Sequence, residues 1–354
     1  MTSGPKMRIQ NGASRVRVTD VARLAGCAPA TVSRAINSPE KVSPEKRARI
    51  ESAMRELGYV RNYAARALRS QRSQMIGVLI PTLDYAIYAR LVGAANDRFS
   101  DAGISTLVAI FDYDLDAELR EARLLLERGA EALVLVGEHH RPELYGLLEQ
   151  FDVPFVNTYV FNPDSVFPTV GFDNSMASAR IARYLVHIGH RNICVISGIT
   201  KDNDRTTRRL DGIRRELRVH GIELRDSMLV EQPYSISGGR KGCAMILSRD
   251  GPQPTAIICG NDVLAIGAML ECAERGLAVP SDISIAGFDN LELAVHFNPP
   301  LTTIEVPTDE MGINAASYLL GRLNGDEVAR HHSVDVHLIV RKSTAPPNDM
   351  CRPA

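Results

Sequence analysis

The six cysteines, Cys27, Cys194, Cys243, Cys259, Cys272 and Cys351, form no close pairs and mostly sit in apolar runs, where a thiol packs as a small hydrophobe. That scatter excludes a zinc ribbon and fits a reducing compartment, so neither a metal nor any other cofactor is expected. No window reaches the roughly 18 apolar residues of a membrane span. Residues 1–16, MTSGPKMRIQNGASRV, also lack the apolar core of a signal peptide. The expectation is a cytoplasmic protein with no membrane partner. Also missing are a P-loop, a strand-linked G-x-G-x-x-G and an H-E-x-x-H, so no enzyme activity and no catalytic residue are expected. His139-His140, on a loop after ALVLVGE, cannot alone make a metal site, and a solvated or cleft-rim position is expected for it. His187 and His190 flank a helix end, where the helix dipole favours histidine.

With 354 residues, 45% of them hydrophobic and 23% charged, the chain can bury an ordinary core and is long enough for two or three domains. Its net charge of −1 hides a division. Residues 1–72 hold 15 Lys and Arg against 5 Asp and Glu, a balance of +10, and the remainder holds 26 against 37, a balance of −11. One end is suited to a polyanion.

A shape that would carry this charge into a groove follows at residues 20–37, DVARLAGCAPATVSRAIN. A short helix is expected over residues 20–25, then Gly26 for a tight turn, then a second helix from Pro29 to Ile36. Pro29 suits the first helical position, and Val32 and Ile36 make an apolar stripe. The opposite face carries Ala30, Ser33, Arg34 and Asn37. Arg34 can fork onto guanine O6 and N7 in the major groove, while Ser33 and Asn37 suit phosphates. A phosphate contact or a solvated position is the alternative for Arg34. A third helix is expected from Ser43-Pro44-Glu45, with Ser43 as N-cap, Ile50, Met54 and Leu57 on one stripe, and Gly58 as the stop.

These stretches, DVARLAGCAPATVSRAIN and VSPEKRARIESAMRELGYVRNYAARAL, resemble the DNA-binding head and hinge of the lac repressor (LacI/GalR) family. GHRNICVISG, PTAIICGNDVLAIGAMLECAERGLAVPSDISIAGFDN and PPLTTI resemble that family's sensor domain, so only the termini fall outside the likeness. The resemblance implies a small all-α helix-turn-helix head plus hinge helix, joined to a two-lobed α/β sensor domain with parallel sheets, like a periplasmic binding protein. Expected bounds are a disordered tail at 1–16, a head at 17–61, a hinge at 62–73, a sensor at 74–344 and a tail at 345–354. Within the sensor, the first lobe would take 74–172 and 302–322, and the second 173–298 and 330–344.

By the same resemblance Arg34, Pro29 and Ala30 lie where the family reads bases, and Thr31, Ser33, Asn37 and Lys41 fall in the DNA-facing part. The stretch from Asn62 to Leu68 matches the hinge helix, whose leucine wedges into the minor groove; an ordinary helix contact is the alternative for Leu68. Two departures stand out. Ala28 replaces the family's usual serine N-cap, and Pro29 and Ala30 offer no side-chain hydrogen bond to a base, which shifts the burden to Arg34 and DNA shape.

From Met75 on, short apolar runs alternate with amphipathic stretches: 75–81, 104–110, 132–136 and 154–158, then 193–197, 256–260 and 283–288. That rhythm predicts two lobes, each with a parallel sheet and crossover helices. Ligands of such sheets bind beyond the strand C-terminal ends. Matched to the family, Arg209, Asn261 and Asp289 stand at effector-contacting positions, with Arg205 one helical turn earlier; loop capping or interlobe pairing is the alternative. Tyr85 and Tyr88 either stack on a ring or fill the core.

The groups suggest a sugar or, from two nearby arginines, a gluconate-like sugar acid, acting as inducer; some family members bind purines as corepressors. Linkage between lobe arrangement and hinge would control operator binding. A homodimer follows from the family and from the need to read two half-sites. The tail RKSTAPPNDMCRPA, with three prolines and no leucine heptads, argues against a helical tetramer bundle. A sugar-binding protein without DNA function would lack the basic head.

Overall fold

The computed structural model describes residues 16–59, 72–84 and 86–348. Residues 1–15 of the tail expected at 1–16, the hinge stretch with Asn62 and Leu68, Tyr85, and residues 349–354 lie outside the described residues, whereas Val16, expected in that tail, packs against the core of the head. The chain divides into two compact units, Met1–Arg72 and Ser73–Ala354.

In the first unit, α1 (Val18–Leu24), α2 (Pro29–Asn37) and α3 (Pro44–Glu56) close on one small core. The first helix begins two residues before the expected Asp20 because Arg17 supplies its N-cap, its N–H donating to Asp20 Oδ2 at 2.9 Å. Val21, Ala22, Ala25, Val32, Ile50 and Ala53 are buried together, with Ile36, Met54 and Leu57 packed against them. Gly26 makes the turn at φ +61°, a left-handed value that costs an L side chain roughly 1–2 kcal/mol. Arg49 Nη2 reaches over it to donate to Ala25 O at 2.6 Å, and a Cβ on Gly26 would stand 2.7 Å from that nitrogen.

The second unit carries two parallel sheets. The first runs β11-β5-β4-β3-β1-β2, from β1 (Met75–Ile80), β2 (Ser105–Ile110), β3 (Leu133–Val136), β4 (Phe155–Thr158), β5 (Thr169–Gly171) and β11 (His331–Ser333). The second runs β7-β6-β8-β9, from β6 (Ile193–Ser197), β7 (Leu229–Glu231), β8 (Ala256–Cys259) and β9 (Ser284–Ala286). β3, β6 and β8 are buried along their whole length, which is why they read as unbroken apolar runs. Helices α4 (Ala86–Asp101), α5 (Leu115–Glu127), α6 (Pro142–Gln150) and α12 (Thr308–Asn324) belong with the first sheet. α7 (Asn174–His187), α8 (Asp204–Val219), α9 (Ile236–Leu247), α10 (Asp262–Glu274) and α11 (Glu292–His296) belong with the second.

The chain passes between the lobes three times. It leaves the first after β5, returns through β10 (Thr303–Glu305) into α12, and crosses again from β11 through β12 (His337–Ile339). β10 and β12 pair antiparallel, so the second and third crossings lie side by side, and Phe172, just after β5, packs on Phe288, just after β9, with the rings 6.0 Å apart. His331–Ser333, expected in the second lobe, instead hydrogen-bond to β5 at the edge of the first sheet. Residue 345, expected to begin a tail, is tied down: Ala345 N–H donates to Ser284 Oγ at 3.0 Å and its carbonyl lies 2.9 Å from His190 Nε2.

Candidate functional sites: a reading head and an interlobe cleft

The candidate reading face of the head is the side of α2 turned from its core. Ala28, Pro29, Ala30 and Arg34 are exposed, Thr31 and Ser33 are partly buried, and Val32 is fully buried on the other side. Asn37 is the last residue of α2, and Lys41 is exposed at the end of a 3-10 turn, Pro39–Lys41. The N-cap Ala28 makes no side-chain bond to the first turn, and Pro29 at the first helical position removes one N–H that would need a partner. Arg34 is thus a cation on a helix face whose small neighbours let the backbone approach closely.

The second site lies between the lobes, at the C-terminal ends of the strands. Tyr88 comes from α4, Arg205 and Arg209 from α8, Asn261 from the end of β8 and Asp289 from the end of β9, and all five line one recess. Tyr113, Thr206 and Tyr234 line it too. The recess itself is tight, about 10 Å³, and the shared residues Tyr113, Asn203 and Tyr234 connect it to an open cleft of about 640 Å³. The cleft falls within the range of ligand pockets, roughly 300–1,000 Å³.

Each polar group is held by its local fold. Arg209 donates from Nε to Asn174 Oδ1 and from Nη1 to Gly260 O, both at 2.9 Å, with Cζ 4.2 Å from the centroid of the Phe288 ring. Asn261 caps α10, its Oδ1 accepting from Leu264 N–H at 2.9 Å, so the capping alternative holds for that oxygen. Asn203 caps α8 through Thr206 N–H at 3.2 Å. Arg205 is buried, donating to Val136 O at 3.0 Å and to Asp204 Oδ1 at 2.8 Å.

The electrostatics are unusual at Asp289, which stands at φ +109° with its N–H donating to Ile304 O at 2.8 Å. Burial pushes its carboxyl up to about 7, with the Arg209 guanidinium opposing. Asp262, behind it, is pushed well up by burial and by the charge of Asp289, against the Thr303 hydroxyl and Leu291 N–H that donate to it. Burial also raises the phenols of Tyr113 and Tyr234, which stay protonated as donors.

Tyr113 and Tyr234 were not anticipated. Tyr113 follows β2 directly and could have been found by the same rule that located Asn261. Tyr234 follows β7, a three-residue strand too short to leave a pattern. Of the paired histidines, His139 is exposed at the rim, but His140 is buried, its Nδ1 2.8 Å from Glu118 Oε2 with both side chains 1% exposed. A solvated position fails for His140 because the carboxylate partner compensates its burial.

Residues 17–62 match the bacterial regulatory proteins of the lacI family, and residues 182–344 match a periplasmic binding protein-like domain. The HTH-type transcriptional repressor PurR of Pectobacterium atrosepticum is 32% identical over 332 residues, 93% of this chain and 96% of that protein. The lac repressor dimer bound to operator and an anti-inducer superposes with a TM-score of 0.84 at 28% identity, covering 94% of this chain and 100% of that one. The transcriptional regulator CelR in complex with cellobiose gives 0.69 at 26% identity, covering 93% and 100%. Among the described residues, no helix is long and apolar enough to cross a membrane. With a helix-turn-helix head, a two-lobed sensor and full-length likeness of this kind, the chain belongs to the LacI family of DNA-binding transcriptional repressors controlled by small molecules.

Proposed function

We propose that the protein acts in the cytoplasm as a homodimeric repressor, and that a small hydroxyl-rich molecule, a sugar or sugar acid, releases it from its operator. The observation that carries this reading is the convergence of Tyr88, Arg209, Asn261 and Asp289, from four separate segments, on one recess opening into a cleft. A carboxylate, an amide, a guanidinium and phenols in one pocket suit hydroxyl groups that both donate and accept. The relative solved with cellobiose supports the sugar class, and the lac repressor structure supports the dimer on operator DNA.

On the choice between sugar and sugar acid, the surroundings favour the neutral ligand. The cleft is lined by Asp84, Asp112, Asp114, Asp116 and Asp202 against only Arg141 and Lys201, an acidic mouth for an anion to pass. Arg209 is the group that would take an acid. The other reading, a flat ring acting as corepressor, draws on Tyr88, Tyr113 and Tyr234 around the recess. On the DNA side, Arg34 forks onto a base and Pro29 and Ala30 face the bases beside it, Ser33 and Asn37 meet phosphates, Thr31, Lys41 and Asn62 add further DNA contacts, and Leu68 wedges the minor groove.

The experiment is thermal stability of the full chain against sugars, sugar acids and purines, followed by binding to an operator selected from random duplexes. A stabilising sugar that releases DNA supports induction. A purine that tightens binding replaces this reading with corepression, and stabilisation by sugar acids alone reverses the preference for a neutral ligand.

A further inference from the structure

The first turn of α8 belongs to the second lobe and the loop after β3 to the first, yet polar contacts tie them directly. Glu138 N–H donates to Asp204 Oδ2 at 2.8 Å, and Arg205 Nη1 bridges Val136 O and Asp204 Oδ1. One turn on, Arg208 Nη2 donates to Glu138 Oε2 at 3.1 Å, and at the rim His139 Nε2 lies 3.8 Å from Asp202 Oδ1. Gly137 makes the close approach possible: it sits at φ +94°, and a Cβ there would overlap the Arg205 guanidinium.

The charges are matched for this contact. Burial would raise the Asp204 carboxyl, but the Arg205 guanidinium and the Glu138 N–H outweigh it and hold it below the usual carboxylate range. Burial works against the charge of the Arg205 guanidinium, but the Asp204 carboxylate beside it outweighs that and keeps it protonated. The geometry and the charges thus serve lobe against lobe, with protein carbonyl and carboxylate oxygens as the acceptors.

We propose that Asp204, Arg205 and Arg208 form a clasp on the Val136–Glu138 backbone that sets the resting angle between the lobes, with Arg205 a positioning residue and not an effector ligand. A clasp of this kind biases the equilibrium between lobe arrangements before any effector binds, so its strength sets basal operator affinity. That last step rests on the proposed function; the clasp itself does not.

The test is a charge-reversal cycle on the partly exposed pair, read by hydrogen exchange in the full chain without effector. Glu138→Arg and Arg208→Glu should each speed exchange across residues 136–140 by about tenfold, leaving β6 and β8 protected, and the double variant should return to within about threefold of the parent. Unchanged exchange in the single variants, or a double variant as open as either, overturns the clasp. A second arm uses Arg205→Lys, which keeps the charge but loses the fork. It should speed the same exchange by a factor comparable to the single charge reversals. Exchange no faster than in the parent would overturn its assignment as a strut. The exchange arm needs no effector, so it stands or falls separately from the reading of the cleft.

Discussion

Arg209 lies over the Phe288 ring, its Cζ 4.2 Å from the centroid, and Phe288 is the residue immediately before Asp289. One aromatic ring therefore sets the orientation of the cation and, through the backbone, the place of the carboxylate. Replacing Arg209 with alanine removes a charged donor, worth about 1.5–3 kcal/mol, so effector affinity should fall by roughly 10–100-fold. Phe288→Leu keeps an apolar side chain but loses the aromatic face, and calorimetric titration should find affinity reduced by less than Arg209→Ala does. An unchanged affinity in Arg209→Ala would remove that residue from the site.

Asp289 gives the cleft a pH dependence whose sign can be worked out. Its carboxyl is raised from 3.8 to about 7, first by burial, so between those values the folded protein keeps a proton that the unfolded chain has lost. Stability contributed by this group therefore falls as pH rises through that window. Ligand hydroxyls donate to the ionised form, so effector affinity should rise about tenfold from about pH 6 to about pH 8. Asp289→Asn should abolish that rise; a profile as steep in the variant as in the parent would assign the titration to another group.

Much of this was legible beforehand, for a physical reason. β1, β3, β6 and β8 lie in parallel sheets covered by helices, and burial on both faces leaves a run of apolar residues that no loop imitates. β5, β7, β10, β11 and β12 have three residues each, too few for any period, and are held by their neighbours' register. In the same way Arg209, Asn261 and Asp289 follow recognisable segments, whereas the involvement of Arg205 with Asp204 and Val136 depends on a fold that brings residues 69 apart in sequence together.

On the head, Arg34 is exposed on α2 among small residues. Arg34→Ala should weaken binding to the selected operator by about 1–3 kcal/mol and relax preference at one base pair, while salt-dependent binding to random DNA persists. Fluorescence anisotropy on both duplexes measures this, and equal losses on the two would make Arg34 a phosphate contact.

The missing cap on α2 can be restored. Ala28 already holds the extended conformation of an N-cap, φ −74° and ψ 148°, with only a methyl group to offer the first turn. Ala28→Ser should stabilise the head by about 0.5–2 kcal/mol, seen as slower hydrogen exchange in α1–α3. Exchange no slower than in the parent would mean that the serine hydroxyl finds no first-turn amide.

The three crossings at the waist also govern what kind of motion the sensor can perform. Because β10 pairs with β12, two of these passages are joined along one line, like the leaves of a strap hinge. Such a hinge swings about its pin and resists sliding or twisting. A contact formed at the far lip of the cleft therefore has the longest lever arm, and becomes rotation of one lobe as a rigid block instead of dissipating in local adjustment.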